Sequence, residues 1–200
     1  MTIRNLEYLF KPRSIAVVGR SQQAGSFDAA VQFNLIEGGF KGPVMPVNPD
    51  RQSVSGVLAY KDIASLPVVP ELAILTTPLA EAPGLIGELG QRGTKAVLLL
   101  TREALHTHHD VQAARLDPET PGYYPGGSDI LKQKILEAAK PHLLRVIGPD
   151  HLGYAVPSAS VNASLNPTRP LAGGLALLCQ STAIMRSVID WAASRNIGFS

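Results

Sequence analysis

The chain has 200 residues, 45% of them apolar and 17% charged, with a formal net charge of +2. An apolar fraction of that size excludes a disordered chain, which lacks the surface to offset its ordering entropy. Weak net charge without a dense basic run argues against nucleic acid as a partner, and no apolar run approaches the roughly 20 residues of a membrane-spanning helix.

The first segment, MTIRNLEYLFKPRS, lacks the apolar core of a secretion signal, so a cytoplasmic protein is expected. Ser14 to Val18 is rich in β-branched residues and ends at Gly19, the pattern of a buried strand. Phe27 to Glu37 carries Ala30, Val31, Asn34 and Leu35 at helical spacing, and Gly38-Gly39 stops it. Val44 to Val47 is a second strand, and Pro46 inside it predicts an edge position or a strand end, because proline removes a ladder donor. Leu72 to Thr76 is the third strand, Ala80 to Arg92 a helix ended by Gly93, and Ala96 to Leu100 the fourth strand. Thr107 to Gly127, rich in Pro and Gly, breaks the alternation and reads as a mobile surface insertion. Ile130 to Lys140 is helical, and Arg145 to Ile147 is a fifth strand ending at Gly148-Pro149.

Strands alternating with helices imply parallel pairing and a doubly wound α/β sheet, with ligands at the carboxyl ends of the strands. Residues 1–151 form that domain. Leu152 to Pro170 shows no sustained period and reads as a linker. A strand at Leu175 to Leu178 and a helix at Thr182 to Ser194 then open a second α/β unit over 171–200. One strand and one helix cannot cover a core, so a fragment of a longer protein is expected.

The turn VVGRSQQAGSF joins a strand to a helix N-terminus, where free backbone N–H groups and the helix dipole suit a phosphate. Gly19 permits the sharp turn, and Ser21 and Ser26 offer hydroxyl donors; the bland alternative is an ordinary tight turn. The dinucleotide fingerprint is absent, because Ser21 replaces its second glycine and Gly25 is the next one. Asn48 ends the second strand where an acid would hold the ribose of NAD. Arg51, three residues on, is either a phosphate-binding guanidinium or a solvated loop charge.

His106, His108 and His109 are closely spaced but lack partner ligands, so no metal is expected. Asn162-Ala163-Ser164 fits a glycosylation sequon without an export signal. No G-x-S-x-G elbow supports serine hydrolysis. Cys179, the lone cysteine, rules out an internal disulfide and reads as a core residue of a strand.

The segments LEYLFKPRSIAVVGRS, NLIEGGFKGPVMPVNP, VSGVLAYKDIASLP, ELAILTTP, ELGQRGTKAV, RVIGPDHLG, VNASL and CQSTAIMRSVIDWAASRNIGFS occur in order. Together they resemble the N-terminal part of the NDP-forming (ADP-forming) acyl-CoA synthetases. They also resemble the synthetase-like half of bacterial protein lysine acetyltransferases and, more remotely, the alpha subunit of succinyl-CoA synthetase. The resemblance implies a Rossmann-like CoA-binding domain followed by the start of a flavodoxin-like one. It places CoA on Gly19, Ser21, Gln22, Gln23, Ala24, Gly25 and Ser26, on Arg51, on Leu100, Thr101 and Arg102, and near Asp150, where relatives have asparagine. It places a phosphate at a helix N-terminus formed by Ser181, Thr182 and Ala183, with Thr182 where relatives commonly have glycine.

The implied activity is that of an acid–thiol ligase of the acetate–CoA ligase type: ATP, a short-chain carboxylate and CoA give acyl-CoA, ADP and phosphate. No catalytic residue is expected within the chain, because the family's phosphohistidine falls beyond residue 200. ATP, ADP and magnesium belong to the full-length protein, and these 200 residues alone are expected to be inactive. The alternative is a regulatory half that senses CoA or acyl-CoA for a linked acetyltransferase domain. A homo-oligomer is left open.

Overall fold

A computed structural model describes residues 3–20, 26–100, 127–149 and 151–200. A short helix α1 (Glu7–Phe10) leads into β1 (Ile15–Val18), followed by α2 (Phe27–Glu37), β2 (Val44–Val47) and the small strands β3 (Ser53–Val54) and β4 (Val57–Leu58). Next come β5 (Leu72–Leu75), α3 (Ala82–Arg92), β6 (Ala96–Leu99), α4 (Gly127–Ala139) and β7 (Arg145–Ile147). The main sheet has the order β2-β1-β5-β6-β7, and every pair in it is parallel. This is the expected doubly wound, Rossmann-like arrangement.

The central strands β1, β5 and β6 are buried at all four positions. Helices cover both faces, so these strands read as continuous apolar runs rather than alternating ones. Successive side chains still point to opposite faces. Ala16, Val18, Leu75 and Leu99 pack with Ile86 and Leu89 of α3 and with Ile135 and Ala139 of α4. Ile15, Val17, Ile74 and Leu98 pack with Val31 and Leu35 of α2 and with Leu9 of α1.

The edge position of β2 follows from Pro46. Ile15 N donates to Pro43 O and Gly19 N to Val47 O, so odd-numbered residues of β2 turn their backbone polar groups toward β1. The nitrogen of Pro46 therefore faces outward, where no sheet neighbour needs a donor. Tyr60 covers that side: its N–H donates to Pro46 O at 2.8 Å, and Asn48 N donates to Tyr60 O at 2.8 Å.

Residues 152–170 depart from the expected linker. They carry an antiparallel hairpin, β8 (Gly153–Val156) and β9 (Val161–Ser164). Val161 and Ala163 enter the core against α2, and Asn34 Nδ2 of α2 donates to Ser164 O at 2.8 Å and Asn166 O at 3.0 Å. The strands are short, and their polar residues are buried by pairing with each other: Ser164 Oγ donates to Asn162 Oδ1 at 2.7 Å. A buried strand with such partners shows no apolar alternation to read. The sequon asparagine, Asn162, is thus an interior residue, 5% exposed.

In the last segment the strand is β10 (Ala172–Leu175), three residues earlier than expected, and the helix is α5 (Thr182–Ala193). The backbone of Phe199 and Ser200 decides this placement: Phe199 N donates to Leu171 O and Ser200 N to Leu175 O. Leu178 is fully exposed. Cys179 lies past the strand, half-buried, and its thiol donates to Ser181 O at 3.3 Å. Among the described residues no helix is long and apolar enough to cross a membrane, and no cluster of His, Cys, Asp or Glu could hold a metal. Of the insertion expected over Thr107–Gly127, only Gly127 falls within the described residues, as the first residue of α4.

Candidate functional site

Counting only the main sheet, the chain runs from its second strand position to the edge and then returns to the other side of β1. The connections leaving the carboxyl ends of β1 and β5 therefore diverge, and open α/β sheets bind ligands in the crevice made there. Gly19 and Arg20 follow β1, Asn48 to Arg51 follow β2, Thr76 and Thr77 follow β5, Leu100 follows β6, and Gly148-Pro149 follow β7.

Gly19 lets α2 press onto the end of β1. A Cβ there would lie 2.6 Å from Asp28 Cβ and 2.7 Å from both Asp28 Oδ2 and Thr76 Oγ1. The Gly19 N–H is committed to Val47 O at 3.1 Å. Thr76 Oγ1 donates to Val18 O at 3.1 Å. Ser26 occupies the N-cap of α2 but its side chain makes no capping bond. Its buried Oγ has no hydrogen-bond partner among the described residues. The first turn of α2 carries a carboxylate, Asp28, which is 4% exposed with Oδ1 unpartnered among the described residues. A helix N-terminus holding its own anion already has part of its dipole compensated, so the phosphate argument drawn from the bare turn is weaker than the sequence implies.

At the end of β2, Asn48 is 1% exposed and its Oδ1 accepts the Asp50 N–H at 3.0 Å. It folds the loop rather than standing in for a ribose-binding acid. The loop is clamped from two directions: Gln32 Nε2 of α2 donates to Val54 O at 2.7 Å, and Ala59 N donates to Gln52 O at 2.9 Å. Arg51 emerges from it half-buried, without a hydrogen bond or ion pair among the described residues. Arg20 is already engaged, its Nε 3.4 Å from Glu81 Oε2.

Leu100 belongs to the core, with no exposed surface, and its N–H donates to Leu75 O at 2.8 Å. It can serve a ligand only through its backbone. Gly148 has φ 99°, and a Cβ on it would lie 2.6 Å from Leu99 O and 2.9 Å from His151 Nε2, so only glycine suits that turn. His151 Nδ1 accepts the Gly153 N–H at 2.7 Å and steers the chain into β8.

Gly19, Ser26, Arg51 and Leu100 are thus carried by the same carboxyl edge. Ser21, Gln22, Gln23, Ala24, Gly25, Thr101, Arg102 and Asp150 lie outside the described residues. Ser181, Thr182 and Ala183 open α5 instead, where Ser181 Oγ accepts the Ile184 N–H at 3.4 Å. Sequence reasoning missed Asp28, Thr76 and Gln32. A signal existed for the first, an acidic residue in the opening turn of a helix beside a suspected ligand loop.

The model of the CoA binding domain matches residues 13–157, the whole of the main sheet and the hairpin strand β8. The chain belongs to the CoA-binding domain family. It is 30% identical over 202 residues to the alpha subunit of the ADP-forming acetate–CoA ligase I of Pyrococcus furiosus, covering 98% of this chain and 40% of that subunit. It is 29% identical over 195 residues to the ADP-forming acetate–CoA ligase of Methanocaldococcus jannaschii, covering 98% of this chain and 25% of that enzyme. Among solved structures it superposes with TM-score 0.80 on the dinucleotide forming acetyl-coenzyme A synthetase 1 of Ca. Korarchaeum cryptofilum in complex with phosphate and ADP, at 28% identity, covering 98% of this chain and 38% of that one. The resemblance to ADP-forming acyl-CoA synthetases is therefore borne out. This CoA-binding domain chain spans a quarter and two fifths, respectively, of the length of the Methanocaldococcus and Pyrococcus relatives.

Proposed function

We propose that this chain is the CoA-binding part of an ADP-forming acid–thiol ligase acting on a short-chain carboxylate such as acetate. The observation that carries the reading is the CoA binding domain match over 13–157, together with a crevice at the carboxyl ends of β1 and β5. CoA lies along that edge. Arg51, clamped in place and with its guanidinium uncommitted among the described residues, takes a phosphate of the nucleotide end. The buried Ser26 hydroxyl supplies a further donor, and the thiol end runs toward β6 and β7. An orphaned hydroxyl fits a ligand that supplies its missing partner.

The phosphoryl chemistry belongs, in this reading, to parts of the protein outside these residues. The two described histidines have other work. His142 packs its ring against Gly90 of α3, and His151 anchors the turn into β8. ATP and magnesium would be bound elsewhere, and the 200 residues alone are inactive. Ser181 to Ala183 would meet a phosphate through the free N–H groups at the start of α5. Residues 171–200 read as the opening of a second α/β unit, since Ile189, Ala192 and Phe199 form a cluster of their own. The relatives give no better support to the regulatory alternative.

Calorimetric titration with CoA and with NAD tests the reading. CoA is expected to bind and NAD to bind far more weakly, because Asn48 offers the ribose no carboxylate. NAD binding without CoA binding would overturn it.

A further inference from the structure

We infer that Asp28 reads the pantetheine arm of CoA, accepting a hydrogen bond from one of its N–H or O–H groups at the floor of the crevice; this rests on the CoA reading above. The floor between β1 and β5 is made by Gly19, Thr76 and Asp28, whose Oδ2 and Cβ stand against Gly19. Two of its donors are spent. The Gly19 N–H goes to Val47 O, and the Thr76 hydroxyl goes to Val18 O. Two acceptors stand beside Gly19: the Thr76 hydroxyl oxygen and the Asp28 carboxylate, whose Oδ1 is buried and unpartnered among the described residues.

A buried carboxylate without a partner is costly, and a ligand donor relieves that cost. A buried carboxylate repels a phosphate and suits a neutral stretch rich in donors. In CoA the pantetheine arm is such a stretch, with two amide N–H groups and a hydroxyl. At the adenosine end the ribose hydroxyl sits beside a phosphate, and that anion would be brought against the carboxylate; the adenine amino group is the rival donor, and the bisphosphate measurement below separates it from the arm. Arg51 lies one strand away on the β2 side, so a nucleotide end held there sends the arm across β1 and β5.

The test measures binding of CoA, pantetheine and adenosine 3′,5′-bisphosphate, by calorimetry or competition, to the wild type, Asp28→Ala and Asp28→Asn. Thermal melts establish that each variant is folded. Asp28→Ala is expected to weaken CoA and pantetheine by the same factor, about 10- to 150-fold for a hydrogen bond to a charged group, and to leave adenosine 3′,5′-bisphosphate unchanged. Asp28→Asn, which keeps one acceptor oxygen and the volume, is expected to lose less. Tighter or unchanged CoA binding in Asp28→Ala overturns the assignment, as does a loss confined to the bisphosphate. Failure of the wild type to bind CoA would instead overturn the underlying reading, and this inference with it.

Discussion

Arg51 and Asn48 show how two residues three apart divide the work of one loop. Asn48 turns its side chain inward onto the Asp50 N–H, and that turn presents Arg51 without spending its guanidinium. Replacing Arg51 with alanine should weaken CoA binding by about 1.5–3 kcal/mol, the range for a hydrogen bond to a charged group. Pantetheine, which has no phosphate, should bind the variant nearly as well as the wild type. Equal losses for both ligands, measured by competition, would mean that Arg51 supports the loop and not the ligand.

Among the elements, α2 does the most. It buries apolar Val31 and Leu35 together with polar Gln32 and Asn34, so its buried surface is not a simple apolar stripe. Each polar side chain reaches a carbonyl of another element: Gln32 holds the loop after β2, and Asn34 holds the hairpin β8–β9. Asn34→Ala would strip donors from Ser164 O and Asn166 O inside the protein. A buried acceptor left unpaired costs about 1–3 kcal/mol. The variant should therefore melt lower in urea, and the amides of β8 and β9 should exchange faster than those of β1 and β5. Uniform acceleration over the whole chain would show that the hairpin is not a separately tethered piece. The helix itself was legible from spacing to the residue. Its role as the anchor of residues 153–166 was not, because a polar residue in a helical pattern does not say which carbonyl it will meet.

Across the whole molecule, the start of the chain is clipped to the loop before β5. Arg13 donates to Glu71 through its backbone N–H at 2.8 Å and its Nε at 2.7 Å. Burial pushes the Glu71 carboxyl up, but the hydrogen bonds from Arg13 and its charge outweigh that and hold it below the usual carboxylate range. A depressed carboxyl adds stability above the unfolded value and loses it as the pH falls through the folded one. Denaturation curves should accordingly show the wild type ahead of Glu71→Gln at neutral pH, with the gap closing below about pH 4.5, the ordinary value. A gap that persists unchanged at low pH would assign the difference to packing. The pair is exposed on the arginine side, so salt should shrink the effect.

The sequence by itself determined the parallel sheet and the helices α2 to α5, and narrowed Pro46 to an edge strand or a strand end. Those features depend on residue type at short range: β-branched runs, glycine stops and the missing N–H of Pro46. The ordered motifs that resemble the acyl-CoA synthetases were likewise legible in the chain alone. Tertiary structure decided the rest. The hairpin at 153–164 and the strand at Ala172–Leu175 form because distant groups, the Asn34 side chain in one case and the Phe199 backbone in the other, supply partners that no local pattern announces. Leu100 was expected to serve the ligand, yet the pleat turns its side chain into the core. Asp28 looks like an ordinary first-turn acid until Gly19 and Thr76, brought together by β1 and β5, close around it. A periodic pattern reports which face of an element is buried, whereas the partner of a buried polar group is set by contacts between residues far apart in sequence.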